Sequence, residues 1–171
     1  MSDAALGAET GALQLRSEQV WHALAKASFA VVGHVTPRGD PRSSGVLYKA
    51  VDRRLFIVTA PDGWKAKHIA ATPRVSVTVP VRRGGLLSLV LPIPPATISF
   101  HAAAIVHPVG TVDVPADLSS LVPDDRRASS CIIELVPEAM FVTYGIGVPL
   151  LKMRDPAQSR ARVPVTDGSG P

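Results

Sequence analysis

A single cysteine, Cys131, leaves this chain of 171 residues without an intramolecular disulfide and outside the class of disulfide-stapled secreted domains. It lies in Ser130-Cys-Ile-Ile-Glu-Leu-Val136, where a buried structural thiol is expected rather than a nucleophile. Long apolar runs are missing too. The longest, Leu86 to Ala96, is broken by Ser88, Pro92, Pro94 and Pro95 and falls short of the roughly 20 residues a spanning helix needs. The first fifteen residues hold Asp3 and Glu9 but no basic side chain, the reverse of a secretory leader. The expectation is a soluble, cytoplasmic protein with no membrane span. No Ser-His-Asp set, paired carboxylates, metal-ligand cluster or internal repeat is apparent, so chemistry carried by the protein alone is not indicated.

What is present fits one globular domain. Hydrophobic residues make up 46% and charged residues 19% of the chain, enough apolar content for a sizeable core. The net charge of +4 is unevenly spread. From Arg38 to Arg83, Lys and Arg occupy 38, 42, 49, 53, 54, 65, 67, 74, 82 and 83, against Asp40, Asp52 and Asp62, a local excess of 7. Such a segment attracts anions. Nucleic acid ranks below a phosphorylated cofactor and below a solvated basic face, since Tyr48, Phe56 and Trp64 alone interleave with the charges and no nucleic-acid motif appears.

Residues 1–15 read as a mobile N-terminal segment, 16–150 as the folded domain and 151–171 as an extended or mobile tail. Ser17 offers an N-cap to a helix of about ten residues with Val20, Trp21 and Leu24 on one face. Strands follow at Phe29–Thr36, Arg42–Ala50 and Leu55–Thr59, joined by Pro37-Arg-Gly-Asp-Pro41 and Val51-Asp-Arg-Arg54. This meander points to a small barrel or sandwich. Val75, Val77, Val79 and Val81 share one face of a further strand, Arg74–Val81. Leu86–Pro95 reads as an insertion that packs on its own barrel, buries area against a second subunit or lines a pocket mouth. Thr97–His107 is a strand whose Ala102-Ala-Ala104 leaves room for a bulky neighbour. His101 and His107 share a face but stand about 20 Å apart at strand rise, too far for one metal. A helical turn is expected at 114–121, a polar loop at 123–127, and two last strands at Ser130–Val136 and Met140–Tyr144, separated by Pro137-Glu-Ala139. His34 is read as a packed or edge histidine.

The stretch Leu55 to Val75 organises the functional reading. An apolar strand ends in Thr59, a Pro61-Asp-Gly63 turn follows, and a short helix begins with Trp64-Lys65-Ala-Lys67-His68. Unpaired N–H groups and the positive end of the helix dipole favour an anion at such a start. Lys65 and Lys67 add charge and Thr59 a hydroxyl donor, or the lysines are two solvated surface charges.

Lys65-Ala-Lys67-His68-Ile with Thr72-Pro73-Arg74-Val75, preceded by Phe29–Thr36, Pro37–Pro41 and Arg42–Val46, resembles the pyridoxamine 5′-phosphate oxidase-like, FMN-binding split-barrel family over residues 20–107. The resemblance implies a mainly β fold with a few short helices: a six-stranded antiparallel split barrel of Greek-key type. It also implies a homodimer that binds flavin, or a deazaflavin, at the subunit interface. The site it implies comprises Arg42, Ser43 and Ser44, whose main chain meets the ring, Val58, Thr59 and Ala60 on the next strand, and Trp64, Lys65 and Lys67. Lys65 is the foremost phosphate contact. Two departures matter: Trp64 stands where the family often has Arg, and nothing after Tyr144 matches the Trp- and Arg-containing substrate signature of the vitamin B6 oxidases. The implied activity is therefore FMN-dependent oxidation or reduction of an unidentified small molecule. The alternatives are a deazaflavin-dependent reductase that uses Arg42, Arg53, Arg54 and Arg74, or a non-catalytic flavin-binding module.

Overall fold

The computed structural model describes residues 15–82, 95–111, 122, 126, 129–149, 152–153 and 155–166. The chain runs through α1 (Ser17–Lys26), β1 (Phe29–Val35), β2 (Pro41–Leu47), β3 (Lys49–Val51), β4 (Arg54–Thr59), α2 (Trp64–Ala71), β5 (Arg74–Val81), β6 (Ala96–His107), β7 (Cys131–Tyr144), a one-turn α3 (Pro156–Ser159) and β8 (Arg160–Pro164). Every strand pairing is antiparallel. The readings at Leu86–Pro95 (Pro95 aside), 114–121 and 123–127 (Arg126 aside) lie outside the described residues.

The strands follow the path β2-β1-β5-β6-β7-β4-β3, with β8 added on β7. The two ends of this path are neighbours in sequence, since Tyr48 alone separates β2 from β3. Laid flat, seven strands at about 4.8 Å per step would hold their outer members about 29 Å apart. Leu47 to Lys49 spans at most about 7 Å. The sheet therefore curls on itself, and the result is the expected mainly β, antiparallel split barrel with few and short helices. Eight strands stand among the described residues where six were expected: the stretch read as one strand, Arg42–Ala50, is divided at Tyr48, so that β2 pairs with β1 and β3 with β4, and β8 is added on β7.

Strand alternation sets the inside. Ala30 and Val32 of β1, Val75, Val77 and Val79 of β5, Ile98, Phe100, Ala102 and Ala104 of β6, and Ile133, Leu135 and Phe141 of β7 form the core with Leu55 and Ile57 of β4. The two strands read at 130–136 and 140–144 are one long β7, which changes partner along its length. Cys131–Leu135 pairs with β4 and Met140–Tyr144 with β8. Pro137 lacks an N–H and Ala139 adopts a positive φ of 56°, which bends the strand at the changeover. Within the C-terminal segment, Arg160–Pro164 is bonded into the sheet as β8.

The longer helices, α1 and α2, pack on the sheet. α1 packs on β3, β5 and β8, and α2 on β1 and β6. Ser17 does not cap α1. It is the first helical residue, and its buried hydroxyl donates to the Val165 carbonyl at 2.8 Å, which the Trp21 indole N–H also meets at 2.9 Å. At the other end of α1 the Tyr48 hydroxyl donates to the Leu24 carbonyl at 2.7 Å, satisfying one of the acceptors a helix terminus leaves open. Val51-Asp52-Arg53-Arg54 is a two-residue hairpin turn in which both central residues take positive φ, 48° and 59°, the geometry that matches strand twist. Among the described residues no helix is long and apolar enough to cross a membrane.

Candidate functional site

The turn between β1 and β2 is built around Thr36. Its backbone N–H donates to the Asp40 carbonyl, its hydroxyl oxygen accepts from the backbone N–H groups of Arg38 and Asp40, and Gly39 turns the chain at φ 90°. This fixes Arg38 and Asp40 at the rim of the barrel. Across from them α2 begins: Gly63 N–H donates to the Ala60 carbonyl, closing the expected Pro-Asp-Gly turn, and the helix starts at Trp64. Residues four apart share a helix face, so Trp64 and His68 both look toward the turn. Thr36, Pro37, Arg38, Asp40, Arg42, Trp64 and His68 line an open cleft of about 500 Å³ between the two elements.

Behind this wall sits His34. It is the cross-strand partner of Arg42 and is only 3% exposed. The rings of His34, Trp64 and His68 form a cluster with centroids 5.3 Å (His34–Trp64), 5.7 Å (His34–His68) and 5.6 Å (Trp64–His68) apart. Neither nitrogen of His34 has a hydrogen-bond partner, nor has Nδ1 of His68 nor the buried hydroxyl of Ser44. Burial pushes the His34 imidazole below its ordinary value; a backbone contact with Val32 opposes this, and the nearby charges of His68, Lys65 and Arg42 add to it.

The residues implied by the family resemblance separate into groups. Arg42 and Trp64 meet at the cleft. Lys65 is half-buried on α2, between the core-facing Ala66 and Ile69 and the cleft-facing Trp64 and His68. Burial lowers its ammonium pKa, and among the described residues it enters no ion pair. Lys67 is exposed on the solvent side of the same helix. Thr59 and Ala60 lead into α2 through the turn, whereas Val58 pairs with Ile132 on the β4–β7 side of the barrel. Strand alternation puts Arg42 and Ser44 on the inner face of β2 and Ser43 on the outer face, opposite Gly33. Of the four arginines considered for a longer anionic tail, Arg54 is bonded to Glu134 and Arg74 lies 3.2 Å from Glu138, so two are already partnered.

Sequence reasoning missed the contribution of the turn and of the two histidines. Thirty-four positions separate His34 from His68, and no local spacing reveals their meeting. It missed a second polar cluster as well: Glu134, buried on β7, takes hydrogen bonds from Arg54 of β4 and from His107 Nε2 at 2.7 Å. Cys131 is buried, and burial raises its thiol pKa, which suits the structural role expected. Among the described residues no group of three His, Cys, Asp or Glu is placed to hold a metal ion.

The chain matches no family model and no curated sequence. Solved structures do resemble it. It is similar to an F420 reductase (20% identity, TM-score 0.53, covering 70% of this chain and 93% of that one). It is also similar to a Listeria innocua protein named as a pyridoxamine 5′-phosphate oxidase (14%, 0.55, 71% and 93%). A third likeness is to HutZ, a haem storage protein of Vibrio cholerae (15%, 0.54, 77% and 97%). At these identities the likeness shows the fold: the structural neighbours are pyridoxamine 5′-phosphate oxidase-like split barrels, as the sequence resemblance implied.

Proposed function

We propose that this split barrel is a flavin-dependent oxidoreductase that binds FMN through Arg42, Ser43, Ser44, Val58, Thr59, Ala60, Trp64, Lys65 and Lys67 and acts on a small molecule. The observation that carries the reading is Lys65. An ammonium group half withdrawn from water, with no carboxylate partner among the described residues, stands one residue inside the start of α2. A desolvated cation is unfavourable alone and favourable beside an anion, and the helix start adds its own attraction for a phosphate. Thr59 lies just ahead of the turn that delivers Lys65 and supplies a hydroxyl donor.

The flavin, when bound, supplies the hydride or electron transfer. The chain's own residues hold the anionic end at α2 and present main-chain groups of β2 and β4 to the ring. The outer face of β1 and β2 favours a homodimer with the cofactor at its interface. Phe29 (44% exposed) and Leu47 (57% exposed) face each other across the two strands, with Val31 beside them. The same face carries Ser43, and around it lie Gly33 and Gly45, over which the Phe29 ring passes so closely that a Cβ at Gly45 would meet it at 2.9 Å. Large apolar side chains beside a flat strip suit contact with a second copy. The single buried thiol is in keeping with a cytoplasmic setting.

The neighbouring F420 reductase supports a second reading on the same site, a deazaflavin coenzyme. Trp64 in place of the family's Arg favours it. The pairing of Arg54 and Arg74 with carboxylates weighs against a long anionic tail there. The deciding experiment is the absorbance and mass spectrum of ligand released from freshly purified protein, followed by titration with FMN and with a deazaflavin at two salt concentrations. Flavin absorbance, and a loss of about 1.5–3 kcal/mol in FMN binding on Lys65→Ala, are expected. Tail contacts would show as affinity falling with salt. Protein that takes up neither cofactor, or carries haem instead, would overturn the reading. Bound flavin that no reductant or nicotinamide nucleotide reduces would make the protein a binding module.

A further inference from the structure

Polar groups in protein interiors nearly always find partners. At the α2 end of the barrel several do not. His34 has two bare ring nitrogens, His68 contributes Nδ1, and Ser44, on the same inner face of β2 as Arg42, contributes its hydroxyl. His68 lines the cleft between the β1–β2 turn and α2, and His34 packs behind it against His68 and Trp64. The cleft's volume, about 500 Å³, is that of a small-molecule site.

The surrounding charges decide what kind of ligand suits it. Arg42 from β2 and Lys65 and His68 from α2 are the charged or titratable groups acting on His34. Arg38 and Asp40 of the turn line the cleft, and Asp40 is engaged by the Thr36 hydroxyl. β5, on the other side of β1, turns Val75 and Val77 to the inner face that His34 shares, and its one charged residue, Arg74, is exposed and lies 3.2 Å from Glu138. A metal cation would enter against this field; an anion enters with it. Trp64, 51% exposed, offers a flat apolar wall at the same mouth, to which an aromatic ring can stack.

We propose that this cleft is the substrate subsite and that it selects a small aromatic anion, with the carboxylate or phosphate held by the Arg42 guanidinium and His68 and the ring laid on Trp64. The inference deepens the flavin reading and rests on it: with the main chain of Arg42 offered to the flavin, its guanidinium would serve the second ligand. His34 acts as a positioning residue. Uncharged when the cleft is empty, it gains a proton more readily once an anion lies nearby, because opposite charge favours the charged imidazole. Affinity for the anion therefore rises as pH falls through the pKa of His34 in the complex and levels off below its value in the free protein.

The test uses benzoate and phenyl phosphate as anionic probes and benzamide as the neutral one, titrated into flavin-free and flavin-loaded protein. Trp64 fluorescence reports binding, with the buried Trp21 as a constant background. Benzoate or phenyl phosphate is expected to bind saturably and roughly tenfold or more tightly than benzamide, and Arg42→Gln to remove that advantage while leaving benzamide unaffected. His34→Gln is expected to weaken the pH dependence, and His34→Gln with His68→Gln to flatten it. Benzamide binding as tightly as the anions, no effect of Arg42→Gln, or no saturable binding of either anion in both forms would overturn the subsite. Flavin uptake without anion binding defeats the subsite alone. Protein that takes up no flavin defeats the flavin reading; anion binding that added FMN displaces assigns the cleft to the cofactor and overturns the subsite.

Discussion

Tyr48 joins the two ends of the curled sheet, and replacing it by Phe isolates one hydrogen bond. The side chain is fully buried, and its hydroxyl donates to Leu24 O at 2.7 Å. Tyr48→Phe keeps the ring and its packing but leaves a carbonyl in the last turn of α1 without this donor. Leaving a buried acceptor unsatisfied costs about 1–3 kcal/mol. For a chain of this size a loss of about 2 kcal/mol lowers the melting temperature by about 4–8 °C. The pH dependence adds a second readout. Burial drives the Tyr48 phenol well above its ordinary value, so the folded state favours the protonated form. The stabilisation is complete below the unfolded-state value of about 10 and is lost as pH rises above it. Thermal melts monitored by circular dichroism at pH 7 and pH 10.5 should therefore show a gap between wild type and variant that narrows at the higher pH. A Tyr48→Phe protein as stable as wild type at pH 7 would refute the reasoning.

Other expectations rest on separate contacts. Glu134 is held ionised by His107 and Arg54 against the opposing effect of its burial, and its pKa lies below the usual value. Its contribution is thus present above the unfolded value of about 4.3 and lost as pH falls through the folded one. Glu134→Gln should cost about 1–3 kcal/mol at pH 7, and urea melts should show the difference vanishing in acid. Because Ser17 and Trp21 donate to one carbonyl, that of Val165, Ser17→Ala alone leaves it partnered. The double variant Ser17→Ala/Trp21→Phe should lose more than the two single losses together, by about 0.5 kcal/mol or more in a double-mutant cycle. If the outer face of β1 and β2 is the proposed dimer contact, wild type is expected to sediment as a dimer and Phe29→Asp/Leu47→Lys, which changes two exposed side chains, as a folded monomer in analytical ultracentrifugation. An unchanged mass would move the interface elsewhere.

Much of the barrel was legible in the chain because strands and turns are local. The valines of Arg74–Val81 alternate with a period of two, and β5 occupies that segment with Val75, Val77 and Val79 inward. Gly39 and the Pro61-Asp-Gly63 turn bend the chain where their chemistry says they should. The start of α2, with Lys65 beside a strand end, was legible for the same reason. Where the chain departs from its local pattern, distant partners decide. Arg42–Ala50 looks like one strand, but Tyr48 has to reach Leu24 and the sheet has to close, so it breaks in two. Pro137 and Ala139 look like a boundary, yet hydrogen bonding from β6 carries β7 through them. The meeting of His34 with Trp64 and His68, and of Glu134 with Arg54 and His107, depends on which strands lie side by side and on how α2 is laid across the barrel. Periodicity fixes which way a side chain points; only the closed sheet determines what it points at.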